Sequence, residues 1–250
     1  MHELCAAKPL SSPNSLGVGR EGLAWHNRID SPLKIVRAMQ PDASQLPLFE
    51  SSDTVLVDDE RGRVSYTPGL VSQATARQWF AQLRLEVQWR AERRTMYERE
   101  VEVPRLIAHF RLGPSPVAIP VAILDAARRV TARVGAPFNS VGLNLYRDGR
   151  DSVAPHNDHL SEIRRDFPIA LLSLGATRRM TIRAKVEPKR VIHVDLEAGS
   201  LLVMDYATQL HYTHAVPKTP KAVAERISLA FRVKRDKNAP ADGSSIDFYR

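Results

Sequence analysis

Arg226-Ile227-Ser228-Leu229-Ala230-Phe231-Arg232, residues 226–232, alternates apolar with polar or small side chains without a break. In an extended strand, successive side chains point to opposite faces. Ile227, Leu229 and Phe231 therefore share one face, and Arg226, Ser228, Ala230 and Arg232 the other. One face can enter an apolar core. The other carries two guanidiniums flanking a floor of small residues, roughly 20 Å from end to end. Long Arg side chains leaning inward across that floor suit a short diacid, because a guanidinium fork pairs a carboxylate through two hydrogen bonds. By itself the segment also fits an exposed strand face with solvated arginines.

The same period extends upstream. Val141, Leu143 and Leu145 alternate with Gly142, Asn144 and Tyr146, and Ile169–Leu174 is an apolar run ended by Gly175. Met180–Lys185, Arg190–Leu196 and Ser200–Asp205 follow, before the closing run Arg226–Lys234. Strands spaced about ten residues apart with turn signals between them predict a sandwich or barrel. Before residue 137 the pattern differs. Leu70, Ala74, Trp79, Leu83 and Val87 predict a helix over 69–91, and Ile123, Ala127, Val130 and Val134 predict another from Pro120 to Val134. Residues 53–66 predict a hairpin around Asp59-Glu60-Arg61-Gly62, and 96–112 a strand pair or lid. The predicted fold is mainly β with flanking helices (α+β) around a jelly-roll core, the double-stranded β-helix.

The chain of 250 residues is 43% hydrophobic, enough to bury a core. Residues 1–45, rich in Ser, Pro, Gly and Ala, are expected to form a mobile arm, with Met39 as an alternative start. Residues 46–250 are expected to form one domain. Its parts are supporting helices and a lid over 46–136, the jelly-roll over 137–236 and a tail over 237–250. The single cysteine, Cys5, excludes an internal disulfide and fits a reducing compartment. No run of 18 apolar residues predicts a membrane span, and the first residues lack a secretory pattern. A monomeric cytoplasmic protein is expected.

The net charge is +8. Arg84, Arg90, Arg93, Arg94 and Arg99 form one basic cluster. Arg164, Arg165, Arg178, Arg179, Arg183, Lys185, Lys189 and Arg190 form another. Such clusters suit phosphate contacts and predict nucleic acid as partner. A basic but otherwise ordinary soluble enzyme gives the same balance.

His156-Asn157-Asp158 places an imidazole and a carboxylate two residues apart, on one side of an extended segment. With a second His they would form the facial triad that holds non-haem Fe(II) in oxygenases. His214 and His211 compete for that third place. Asn144 and Tyr146, on one strand face, could donate to a carboxylate; an ordinary polar outer face is the alternative.

With these residues in place the chain resembles the AlkB family of nucleic-acid oxidative demethylases over roughly Tyr66 to Lys234. Phe138-Asn139-Ser140 leading to Asn144-Leu145-Tyr146 is similar to the family strand that contacts 2-oxoglutarate. Asp151-Ser152-Val153 with His156-Asn157-Asp158 is similar to its metal loop. Pro168-Ile169-Ala170 through Ser173-Leu174-Gly175-Ala176 and Arg178 is similar to the next strand and turn. Gly199 to Met204, then His214-Ala215-Val216-Pro217-Lys218, resembles the segment supplying the last His and so singles out His214. Val103-Pro104-Arg105 resembles the substrate-lid strand.

The resemblance implies Fe(II) on His156, Asp158 and His214, with O2 as oxidant and 2-oxoglutarate as co-substrate. Arg226 would pair with the distal carboxylate of 2-oxoglutarate, Arg232 would lie near its other end and Asp158, and Asn144 and Tyr146 would complete the frame. It further implies oxidation of an N-methyl group, loss of formaldehyde, and extrusion of a base buried in a duplex. Arg105 and the basic clusters would hold the strand.

Two departures stand out. The family's closing strand usually has Asn and Thr where this chain has Ser228 and Ala230. Its usual acidic residue two beyond the metal Asp is here Leu160, so His159 or Glu162 would take over base reading, or the substrate differs. Three functions follow in order: a nucleic-acid demethylase, the same oxygenase acting on a protein or small molecule, and an inactive nucleic-acid-binding module. Iron-dependent succinate release separates the third from the others. Stimulation by a methylated oligonucleotide separates the first from the second.

Overall fold

The computed structural model describes residues 53–235, apart from 97, 98, 115 and 116. The expected arm over 1–45 and tail over 237–250 lie outside the described residues. The chain begins with the predicted hairpin, β1 (Thr54–Asp59) and β2 (Gly62–Thr67), closed at Gly62, whose φ of 119° suits glycine. Helix α1 (Gln73–Glu86) follows. It is shorter at both ends than the 69–91 expected from periodicity. Ser72 fixes its start, its hydroxyl accepting from the Thr75 amide at 3.1 Å. The buried face is Ala76, Trp79 and Leu83, whereas Ala74 of the expected stripe is exposed.

Next come β3 (Arg90–Met96) and β4 (Arg99–Arg111), an antiparallel pair. This pair starts six residues before the expected one, because the charged sequence of β3 hides an edge strand. An edge strand pairs on one side only and favours charge. Helix α2 (Val121–Val134) has Pro120 at its N-cap and Gly135 at its C-cap, at φ 74°.

The remaining strands are β5 (Ser140–Tyr146), β6 (Val153–His156), β7 (Ile169–Gly175), β8 (Arg178–Ala184), β9 (Val191–Leu196), β10 (Leu201–Met204), β11 (Tyr212–Val216) and β12 (Arg226–Arg232). A short helix, α3 (Tyr206–His211), leads into β11. The sequence reading missed β6, which is four residues long and contains Pro155, a poor strand former. It also missed β11, whose polar Thr213 and His214 mask its alternation.

These eight strands pair as nested hairpins: β5 with β12, β6 with β11, β7 with β10 and β8 with β9. That nesting is the jelly-roll. The first sheet runs β1-β2-β10-β7-β12-β5-β4-β3 and the second β6-β11-β8-β9. Thus β12 and β7 are central and buried on both faces. Val141, Leu143, Leu145, Ile227, Leu229 and Phe231 face α1 and α2, meeting Trp79, Leu83, Ile123 and Val130 in one apolar cluster. At roughly 1.5–3 kcal/mol per large side chain, this layer fixes the helices on the sheet. The opposite face of the same strands looks into the space between the sheets, where Tyr146, Leu171, Ile182, Tyr212, Val216 and Ala230 pack. Polar residues on that inner face need a specific reason to be there.

Candidate metal and co-substrate centre

The mouth of the space between the sheets holds three candidate ligands. His156 ends β6 and His214 lies in β11 as its direct cross-strand partner. Directly opposed residues on one sheet face stand close together, and the two imidazoles are 4.3 Å apart between ring centroids. Asp158 lies just past the end of β6. Ligand atoms of His156, Asp158 and His214 all fall within 4.8 Å of one another, close enough to share one metal ion. His211, the rival in the sequence, ends α3 and is outside this group.

The protonation states suit ligation. His156 Nδ1 lies 2.9 Å from the Ala154 carbonyl, so it donates there and leaves Nε2 with its lone pair. Burial, reinforced by the positive field of His156, pushes His214 down to about 3, and its ring is neutral at physiological pH. For Asp158, burial favours the neutral acid, but the Arg232 charge and hydrogen bonds outweigh it. The carboxylate is held below its ordinary range. Arg232 Nε and Nη2 donate to the two Asp158 oxygens at 2.8 and 2.9 Å. Each oxygen retains a second lone pair for a metal.

Several neighbours take structural roles that the sequence did not assign them. Gln209 Oε1 accepts from the Asp158 amide at 3.2 Å, and the Asn157 side chain donates to the Tyr212 carbonyl. Buried Arg178 donates to the carbonyls of Asp148, Asp151 and Pro217, lashing together the loops before β6 and after β11. Gly142 faces Arg232. A Cβ there would sit 3.3 Å from Arg232 Nη1 and 3.8 Å from His109 Nδ1.

Deeper in, Arg226 is fully buried. Its Nη2 donates to Ser173 Oγ at 2.9 Å, and its guanidinium lies 5.1 Å from the centre of the Tyr146 ring. Its Nε and Nη1 have no hydrogen-bond partner. A buried guanidinium with two idle donors and no carboxylate is costly. A dicarboxylate would complete it, so the donor set fits 2-oxoglutarate as the triad fits Fe(II). Asn144 Nδ2 reaches Ser228 Oγ at 3.4 Å, within the same inner face.

The expected substrate contacts are placed differently from one another. Arg105 does not extend outward; its Nε donates to Asn144 Oδ1 at 2.8 Å, which puts it in the co-substrate frame. Glu162 is exposed and held by Lys234 Nζ at 2.9 Å, an ion pair that keeps its pKa below the ordinary range. His159 is exposed, and its carbonyl accepts from the Glu162 amide in a single helical turn. Leu160, half-buried, packs on the inter-sheet cluster. The second basic cluster is also partly spent on structure. Arg178 is buried, Arg179 pairs with Asp195, and Lys185 and Lys189 donate to the carbonyls of Gln209 and Lys185.

Residues 63–232 match the family model of the 2OG-Fe(II) oxygenase superfamily. Among curated proteins, the chain is 33% identical over 188 residues to the alpha-ketoglutarate-dependent dioxygenase alkB homolog 3 of Bos taurus, covering 68% of this chain and 65% of that one. To the Mus musculus homolog 3 it is 31% identical over 255 residues, covering 91% and 88%. To the DNA oxidative demethylase ALKBH2 of Bos taurus it is 36% identical over 129 residues, covering 48% and 45%. The chain thus spans just under two thirds of the first of these relatives and under half of the last. Among solved structures, that of OsALKBH1 aligns over 72% of this chain and all of the other, with TM-score 0.48 and 15% identity. A Pseudomonas putida prolyl-4-hydroxylase aligns over 69% and 92%, with TM-score 0.47 and 18% identity.

Proposed function

Since the chain belongs to the 2OG-Fe(II) oxygenase superfamily and, within it, to the AlkB family, we propose that it is an Fe(II)- and 2-oxoglutarate-dependent dioxygenase that demethylates alkylated bases in nucleic acid. The observation that carries the chemistry is the pairing of a His–Asp–His cluster with a buried, half-satisfied guanidinium on the same inner face. His156, Asp158 and His214 would hold Fe(II), leaving positions open for co-substrate and oxidant. Arg226, with Ser173 and Tyr146 beside it, would bind the distal carboxylate of 2-oxoglutarate. When bound, the metal and co-substrate supply oxidation of a C–H bond coupled to loss of CO2.

The chain's own residues prepare that chemistry. Arg232 keeps Asp158 ionised and fixes its plane. The Ala154 carbonyl fixes the His156 tautomer. The inter-sheet apolar packing keeps bulk water from the buried end of the co-substrate site. The net charge of +8 and the names of the relatives support nucleic acid as substrate.

The test is succinate release by the Fe(II)-loaded protein with and without a single-stranded methylated oligonucleotide. Stimulated release with loss of methyl groups is expected. Release that the oligonucleotide does not stimulate, with methyl groups untouched, would keep the oxygenase and move the search to protein or small-molecule substrates. His156→Ala and Asp158→Ala should each abolish turnover.

A further inference from the structure

The fixed charges around the triad bear on which bases it can accept. Strand β4 borders the centre on the side of β5, with Ile107 opposite Asn144, His109 opposite Gly142 and Arg111 opposite Ser140. Arg105 precedes them on the same face, bonded to Asn144 and close enough for its charge to act on His156. Arg232 and Lys234 stand on the opposite side, each paired with a carboxylate. Two carboxylates lie close together in this stretch of the chain, Asp158 in the triad and Glu162 four residues on. Arg232 holds both oxygens of the first, and Lys234 holds the second. Leu160, between them in sequence, offers only hydrocarbon.

A cationic base entering this space would be stripped of water near the Arg105 guanidinium, with the Asp158 and Glu162 carboxylates already paired. That arrangement is unfavourable in a partly desolvated site. A neutral lactam base presents carbonyl oxygens instead. Guanidinium and imidazole groups on β4 are donors, and carbonyl oxygens are the acceptors that match them. Resting on the demethylase reading, we infer that the centre selects electrically neutral N-alkylated lactam bases, such as N3-methylthymine and N1-methylguanine, over the cationic N1-methyladenine and N3-methylcytosine. The methyl carbon is oxidised to hydroxymethyl by the O2 and 2-oxoglutarate of the proposed reaction. The N–C bond then breaks, returning the nitrogen its proton and releasing formaldehyde.

The experiment compares four single-stranded oligonucleotides, identical but for one of these bases, with the full chain, Fe(II), 2-oxoglutarate and O2. Base composition is read by mass spectrometry. The neutral bases should be turned over with kcat/KM at least tenfold higher, about 1.4 kcal/mol in discrimination. Equal rates, or the cationic bases ahead, would overturn this inference while leaving the demethylase reading intact. No methyl loss from any of the four, with succinate release unaltered by oligonucleotide, would overturn both. Leu160→Glu, which adds a carboxylate two residues beyond Asp158, should shift the neutral-to-cationic ratio at least tenfold toward the cationic pair. An unchanged ratio in a variant that melts like the parent would show that charge at the mouth is not the discriminator.

Discussion

Arg232 and Asp158 form a two-pronged ion pair, 2.8 and 2.9 Å long, with side chains only 19% and 9% exposed. It ties the last residue of β12 to the proposed metal ligand beyond β6, so one contact joins the two sheets. Removing one member of such a shielded pair strands the other. Arg232→Ala should destabilise the metal-free protein by about 3 kcal/mol. It should also weaken Fe(II) or Co(II) binding at least tenfold, measured by titration calorimetry. Arg232→Lys keeps the charge but not the fork and should restore only part of the affinity. Metal binding equal to the parent in Arg232→Ala would remove Arg232 from the positioning of Asp158.

Arg226 is the opposite case, a buried cation with two idle donors. Replacing it with an apolar side chain of similar length should relieve a desolvation cost. Arg226→Met is expected to raise the melting temperature of the protein without 2-oxoglutarate, by on the order of 1 kcal/mol in stability. It should also raise the KM for 2-oxoglutarate at least tenfold. The parent should gain stability when 2-oxoglutarate is added, and the variant should not. A lower melting temperature in Arg226→Met with an unchanged KM would contradict the anion site.

The metal-free protein should be acid-sensitive. His214 has a folded pKa of about 3, below its ordinary 6.5, so between these values the unfolded chain binds the extra proton. Stability is therefore complete above pH 6.5 and drains away as pH falls toward 3, by up to roughly 5 kcal/mol. His156, although partly open to solvent, is shifted in the same direction by desolvation of its ring. Thermal melts from pH 7.5 to 4.5 should show this loss, and His214→Gln should flatten it. A parent whose melting temperature stays level from pH 7 to 5 would mean that His214 is not buried in its neutral form.

Gly142 should be intolerant of a branched side chain. Its missing Cβ leaves the space that the Arg232 guanidinium uses to reach Asp158. Gly142→Ala should be mild, because an added Cβ meets a flexible side-chain end at 3.3 Å. Gly142→Val should displace Arg232 and lower metal affinity several-fold while leaving the β5 ladder intact, read by metal titration beside circular dichroism. Full metal affinity in Gly142→Val would show that Arg232 has another route to Asp158.

Much of this protein was legible from its alternating apolar pattern. Residues 226–232 and 141–146 declared strands with one face in the core and one polar face, because a period of two survives any tertiary arrangement. The facing of Arg226, Ser228, Ala230 and Arg232 away from Ile227, Leu229 and Phe231 was determined there, and the spacing of His156 and Asp158 marked a ligand pair. Local sequence could not settle elements whose stability comes from partners. β3 has charged side chains at four of its seven positions and exists because it pairs with β4. β6 carries a proline and exists because it pairs with β11. The resemblance had already singled out His214 over His211; the tertiary structure supplied the strand pairing that stands it across from His156, and it alone decided that Arg105 turns inward to Asn144. It also decided that Lys234 takes up Glu162. The physical reason is the same in each case. Which polar groups meet depends on strand pairing between residues far apart in the chain, and a one-residue change of register would reverse every facing side chain.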